Sequence, residues 1–313
     1  LSDTTDIWSA VLMRLAFSTL GIPGLPVSDA VRLAADNGFE GLELRAHPEE
    51  PVHPGLSIAE RVDVVEEFKA AGVEILTVAG YAKVAEPGDD EAVLARTRAL
   101  LELARDLGAS YVRVFPGGGD SGPEEADATA ARRLAAMAPV AADLGVRILL
   151  ETHDSHSTGE DAARVLAAVG HASAGALWDV MHTWRGGEDP ATSHRLLAPF
   201  LGYVQVKDIA SAEDTTPLPP GEGVLPLRQV IGLLTHAGEA GDPIGAVGTA
   251  GTPSAGARAD TARGWLCWEY EKRWYPEIPE LPALLPGVRD HLRGLLAQSS
   301  GGTPDDMQVP GPG

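Results

Sequence analysis

The chain has 313 residues, 44% of them hydrophobic and 22% charged, which suits a soluble globular protein with room for one large domain or two small ones. Its formal net charge of −21 disfavours nucleic acid and anionic membranes as partners, because both reward positive charge. The single Cys267 can form neither an internal disulfide nor a cysteine zinc cluster and fits a reducing, cytoplasmic location; no apolar run reaches the roughly 18 residues of a membrane span.

Asp3 and Asp6 stand where a secretory leader would be positive. Met13 directly precedes the first good strand, so residues 1–12 are expected to be a disordered N-terminal extension. Short β-like runs then follow at 14–19 (RLAFST), 41–45 (GLELR), 73–78 (VEILTV), 110–115 (SYVRVF), 146–152 (VRILLET), 175–180 (GALWDV), 203–207 (YVQVK) and 265–270 (WLCWEY). Ala- and Leu-rich helical stretches separate them. Ser57 with Glu60 forms a capping-box pattern that opens a helix running to Gly72. Helical spacing over 89–108 stops at Gly108, and a stretch over 127–145 stops at Gly145 with Pro139 as a kink point.

Repeated strand–helix units of roughly 30 residues point to a parallel α/β sheet. Eight of them favour a closed (β/α)8 TIM barrel in a single domain over 13–298, a fold of typically about 250 residues. The alternative is an open doubly wound sheet, but no G-x-G-x-x-G follows the first strand. After the helix at 225–238, residues of about 240–262 are rich in Gly, Ala, Pro, Ser and Thr and read as a flexible insertion; 299–313 read as a disordered tail.

In such barrels the chemistry gathers at the C-terminal ends of the strands. The fifth strand ends in LLETHD, which places Glu151 and His153 on one face. Asp179 closes the sixth strand, with His182 three residues on. Gln205 and Lys207 share a face of the seventh strand, and Glu269 and Glu271 share one of the eighth, with Arg273 following. Taken singly, a strand-end acid is most often a solvated or capping residue, Lys207–Asp208 and Glu271–Arg273 read equally as rim ion pairs, and either histidine reads as a satisfied core group. Four successive strands each offering Glu151, Asp179, Gln205 or Glu269 at one depth is a coincidence that this bland reading does not explain. Three converging carboxylates raise one another's pKa values, a conflict that a divalent cation removes; oxygen donors suit Mn²⁺ or Mg²⁺. Glu43 and Arg45 of the second strand share a face and are expected to line the pocket. PGGG (116–119) reads as a flexible loop or as a backbone nest for an anion, and Glu222 lies in a loop over the barrel mouth. Some of the tryptophans near strands six and eight are core; others suit the apolar face of a sugar ring.

LETH, LWDVMHT, YVQVKD, GEG and WEYEKRWYPEIPEL, in this order and spacing, resemble the xylose-isomerase-like TIM-barrel superfamily over roughly residues 13–298, apart from the insertion. That superfamily includes sugar phosphate isomerases/epimerases, ketose 3-epimerases, inosose dehydratases and the endonuclease IV branch. The resemblance implies a divalent metal held by Glu151, Asp179, Gln205 and Glu269, with His182 on the substrate. Gln205 departs from the family's usual histidine; it makes the set all-oxygen, which favours Mn²⁺ or Mg²⁺ over Co²⁺ or Zn²⁺. The nuclease branch needs a histidine-rich zinc cluster, against which stand the 9 histidines and the acidic charge.

The expected activity is a metal-dependent sugar isomerase or epimerase acting through a metal-stabilised enediolate, with Glu151 and Glu269 as the acid/base pair. His182, His153, Lys207, Glu43, Arg45 and Arg273 are the expected substrate contacts. The alternatives are a dehydratase or lyase of the inosose dehydratase type using the same enolate, and a non-catalytic sugar-binding barrel. The expected partner is a small-molecule sugar or polyol-ketone. Such barrels often pair into homodimers, and the sequence leaves the oligomeric state open.

Overall fold

The strand–helix alternation closes into a ring. The computed structural model describes residues 13–239 and 264–299. Its strands are β1 (Arg14–Ser18), β2 (Gly41–Arg45), β3 (Glu74–Lys83), β4 (Tyr111–Phe115), β5 (Arg147–Glu151), β6 (Ala174–Asp179), β7 (Leu201–Val206), a short antiparallel pair β8 (Asp208–Ile209) and β9 (Pro217–Leu218), and β10 (Trp265–Trp268). The helices are α1 (Val27–Asp36), α2 (Ile58–Ala71), α3 (Asp90–Leu107), α4 (Pro123–Asp143), α5 (Gly159–Val169), α6 (Val180–Arg185), α7 (Pro190–Leu197), α8 (Leu227–Glu239) and α9 (Leu281–Ser299). Eight parallel strands close in the order β1-β10-β7-β6-β5-β4-β3-β2. The chain is therefore a (β/α)8 barrel. The expected extension at 1–12, the insertion at about 240–262 and the tail beyond Ser299 lie outside the described residues; Ser299 itself closes α9.

Several boundaries differ from the sequence reading for local reasons. β6 stops at Asp179, not Val180, because the Asp179 side chain caps α6 by accepting from the amides of Met181 and His182. α4 starts earlier than Asp127, at Pro123, whose missing N–H costs nothing in a first turn, and it continues through Pro139. The Ser57–Glu60 capping box forms, and α2 ends on a left-handed Gly72.

Period-two alternation sorts the strand residues. One face packs against the helices, with Trp178 and Trp268 fully buried and Phe17 edge-on to Phe39. The other fills the barrel interior with Ala16, Leu76, Leu149, Leu177, Tyr203, Trp265 and Cys267. The β6–β7 register advances from Ala176↔Leu201 to Leu177↔Tyr203, so Gly202 is an extra residue in β7. That bulge has no room for a side chain: a Cβ there would lie 2.5 Å from Leu149 Cδ1. It sets Tyr203 into the barrel interior and, two residues on, Gln205 beside Asp179.

Just beyond β7, the buried Asp208 turns away from Lys207 and does not pair with it. Its Oδ1 accepts from the amides of Ile209 and Leu225, and its Oδ2 from those of Gly221 and Gly223. The loop carrying Glu222 is thus folded around one carboxylate. A Cβ on Gly223 would collide with the Ile209 carbonyl, so the loop closes only with glycine there. Asp208→Ala strips the acceptor from all of these donors and should lower unfolding free energy by about 1–3 kcal/mol. Urea denaturation measures this; an unchanged midpoint would mean that the loop does not depend on Asp208.

Candidate active site

The upper interior of the barrel is lined with charge rather than with apolar side chains. Glu43, Glu151, Asp179 and Glu269 are buried there together with Arg113, Gln205 and Lys207. Glu151 and Asp179 close their strands, Gln205 is the last but one residue of β7, Lys207 and Glu269 directly follow β7 and β10, and Glu43 and Arg113 lie at mid-strand; closure of the ring turns them toward one interior.

Lys207 is the hub. Its Nζ lies 2.8 Å from Asp179 Oδ2, donates to Glu271 Oε1 at 2.9 Å and donates to Glu269 Oε2. Burial disfavours its ammonium, yet Asp179, Glu269 and Glu271 outweigh that and hold its pKa well above the ordinary lysine value. Asp179 is likewise opposed by burial, but Lys207 and His182 prevail and lower its pKa. Glu269 is not rescued: burial pushes it up to about 8 despite Lys207, with Glu151 and Glu43 adding to the rise. Glu151 also rises through burial, although Arg113 and His153 oppose the shift. Its Oε2 lies 3.2 Å from Arg113 Nε without hydrogen-bond alignment.

Gln205 reaches across the barrel. Its Nε2 donates to both oxygens of Glu43, at 3.0 and 2.9 Å, and more weakly to Glu269 Oε1 at 3.3 Å. Its Oε1 is buried without a hydrogen-bond partner. A buried, unpaired amide oxygen among carboxylates has the chemistry of a cation ligand.

Two histidines close the top of this layer. Their rings pack at 4.2 Å between centroids, and His153 also meets Phe115 at 4.6 Å. Burial works against a charged His153, but Asp154 and Glu151 outweigh it and raise its pKa. Burial dominates at His182 and lowers its pKa to about 4, although Asp179 opposes the change. Ligand atoms of Glu151, His153 and His182 come within 4.8 Å of one another, a grouping that could hold a metal and that Asp179 and Glu269 do not join. Above them opens a cleft of about 390 Å³ lined by His153, Asp154, Ser157, His182, Arg185, Gly186 and Ala212.

The remaining expected contacts are placed as follows. Glu43 faces Gln205 and Tyr203 inside the barrel. Arg45 is committed to Glu50 and to the Tyr81 hydroxyl, with its guanidinium 5.6 Å from the Trp274 ring. Arg273 pairs with Glu49 at the rim, and so does not pair with Glu271. Of the PGGG segment, Gly118 gives its amide to Ser155 Oγ. Trp178, Trp265 and Trp268 are buried, whereas Trp274 is exposed.

Arg113 was missed, although Tyr111, Arg113 and Phe115 share one face of a plain strand, and an arginine between two aromatics was the visible signal. It lies 3.9 Å from the Phe115 ring centroid. The β5 exit is also braced by residues the sequence did not connect. Asp154 sits at φ 46° in a turn closed by reciprocal backbone bonds between His153 and His156. His156 contacts Ser155 Oγ at 2.9 Å and Asp127 Oδ1 at 3.0 Å, which ties that turn to α4.

Residues 31–245 match the family described as xylose isomerase-like TIM barrel. The chain belongs to this family. A 3-dehydroshikimate dehydratase of Bacillus anthracis is 26% identical over 191 residues, covering 59% of this chain and 68% of that protein. Among solved structures, D-psicose 3-epimerase of Clostridium cellulolyticum H10 with D-tagatose superposes with a TM-score of 0.71 at 15% identity, covering 91% of this chain and 99% of that one. An IolI protein with a bound zinc atom gives 0.69 at 15% identity, covering 92% and 98%. At these identities the two structures share the fold. No helix among the described residues is long and apolar enough to cross a membrane.

Because the His182 pKa lies below the ordinary imidazole value, its ring is neutral at pH 7 and gains a proton only as pH falls toward about 4. Two-dimensional NMR of the ring nitrogens in metal-free protein should show no titration of His182 above about pH 5. A midpoint between about 6 and 7 would contradict the burial described here.

Proposed function

We propose that this chain is a divalent-metal-dependent enzyme that removes a proton from the carbon next to a carbonyl in a small polyhydroxylated substrate. The observation carrying this reading is the orphaned Gln205 Oε1, buried in a layer whose carboxylates outnumber its cations. Four buried carboxylates (Glu43, Glu151, Asp179, Glu269) against two buried cations (Arg113, Lys207) leave a formal deficit of 4 − 2 = 2 charges. A dication closes that deficit, and the donors suit Mn²⁺ or Mg²⁺, with Glu151, Asp179, Gln205 and Glu269 as the holding residues. When bound, the ion supplies Lewis-acid polarisation of a carbonyl and a template for two neighbouring oxygens.

The protein's own groups do the rest. Glu151 and Glu269 stand on non-adjacent strands of the ring and act as base and acid on the substrate carbon. Lys207 keeps its proton and stabilises negative charge that develops on the substrate oxygen. The neutral His182 is suited to hydrogen-bond a hydroxyl at the cleft floor. Return of the proton to the same carbon or to its neighbour gives epimerisation or isomerisation; loss of a β-hydroxyl gives dehydration.

One observation favours dehydration of an acidic substrate. Arg113 presents a buried guanidinium whose Nε and Nη1 make no aligned hydrogen bond, which suits a substrate carboxylate. The curated relative acts, by its name, on 3-dehydroshikimate, a ring that carries both a carboxylate and a carbonyl.

Incubation in D₂O with Mn²⁺, using 3-dehydroshikimate and a panel of ketoses and keto-inositols, should give either deuterium at one carbon or a dehydrated product. Chelation should abolish turnover, and Glu151→Gln should lower kcat by at least about 10²-fold. Arg113→Met should raise KM for an acidic substrate much more than for a neutral one. A metal-loaded protein inert toward the whole panel would favour the sugar-binding barrel instead.

A further inference from the structure

Glutamine is an ambiguous ligand. One end of its amide is an acceptor that can bind a cation; the other is a donor that repels it, and the two ends have nearly the same shape. Something must decide which end faces the cluster.

We infer that Glu43 is the positioning residue that holds the Gln205 amide by its nitrogen, so that its oxygen, buried and without a protein partner, is the end left to bind the metal. This inference rests on the metal-dependent reading above. Glu43 lies at the middle of β2, and Gln205 on β7, separated in the ring by β1 and β10. Both Glu43 oxygens accept from Gln205 Nε2, at 3.0 and 2.9 Å, and Glu269 Oε1 is a more distant acceptor of the same nitrogen at 3.3 Å. Tyr203, two residues before Gln205 on the same inward face, donates its hydroxyl to Glu43 Oε2.

The polarity follows from the donor inventory. A carboxylate only accepts, so it takes the NH₂ end of the amide. Turning Gln205 over would set its carbonyl against two carboxylate oxygens in a buried site and leave the NH₂ facing outward. With the amide held as found, Oε1 has no protein partner. A histidine at this position would be polarised by a comparable acceptor on its second nitrogen. Tyr203 holds Glu43, Glu43 holds the Gln205 nitrogen, and the oxygen is what remains to offer.

Two experiments test this separately from the metal reading. The first uses metal-free, ¹⁵N-labelled protein, with the Gln205 side-chain amide identified by its loss in Gln205→Leu. Wild type should show that NH₂ pair shifted downfield and protected from solvent exchange, as a donor to a charged acceptor is. In Glu43→Gln the downfield shift should vanish. An unshifted wild-type pair would overturn the inference with no variant at position 43 needed.

The second is a Mn²⁺ titration followed by the EPR signal of the free ion. Glu43→Gln removes the acceptor-only partner with almost no change of shape, and should weaken Mn²⁺ binding by about tenfold or more. The same substitution in a Gln205→His background should cost less than about threefold, because no reversible amide is left to orient. Equal losses in both backgrounds would mean that Glu43 acts by its charge alone, and would overturn the positioning role. If wild type binds no Mn²⁺, the metal reading falls, while the NMR result still decides which way the amide is held.

Discussion

A barrel interior that is apolar in its middle layer and ionic in the layer above must balance its own charge. Two unit charges 4 Å apart interact by about 4 kcal/mol at an effective dielectric of 20, and several such pairs meet here. Lys207 cannot neutralise Asp179, Glu269 and Glu271 together, and Arg113 is matched by Glu151 alone. The surplus negative charge is met either by a proton, as the rise of Glu269 to about 8 expresses, or by a cation. The rest of the site depends on this imbalance. It holds Lys207 charged and helps to raise the pKa of His153.

The fold was legible because it is repetitive. Eight apolar runs with Gly-terminated helices between them admit few closures, and the inward residues of each strand followed from alternation alone. Gln205 and Lys207 were placed on one inward face before any geometry was known. What lay hidden was cross-barrel pairing. Nothing local in GLELR says that Glu43 meets Gln205, a partner 162 residues away. Arg113 shows the same limit: alternation points it inward, but only closure reveals Glu151 beside it. The expectation that a divalent cation relieves three converging carboxylates left out Lys207, two residues past Gln205 on the same face, which meets part of their charge.

Family membership and reaction are separate matters in this chain. The barrel is shared with an epimerase and a zinc-binding protein, and part of the sequence is similar to that of a dehydratase. Under the proposed function, epimerisation and dehydration begin with the same proton abstraction and diverge in what the pocket does next. Here the distinguishing features are positional: a buried guanidinium beside Glu151, an imidazole at the cleft held neutral by burial, and a buried glutamine among the carboxylates. The loop folded on Asp208 and the turn braced by His156 and Asp127 keep the strand exits in place around them.

The most direct test is the anomalous scattering of Mn²⁺ in crystals of the full chain grown with the ion. The account predicts one strong peak ligated by Glu151, Asp179, Gln205 Oε1 and Glu269, with Lys207 drawn away from the carboxylates. A peak ligated by His153 and His182 in place of Gln205, or the absence of any peak in the barrel with Lys207 still among its carboxylates, would contradict it.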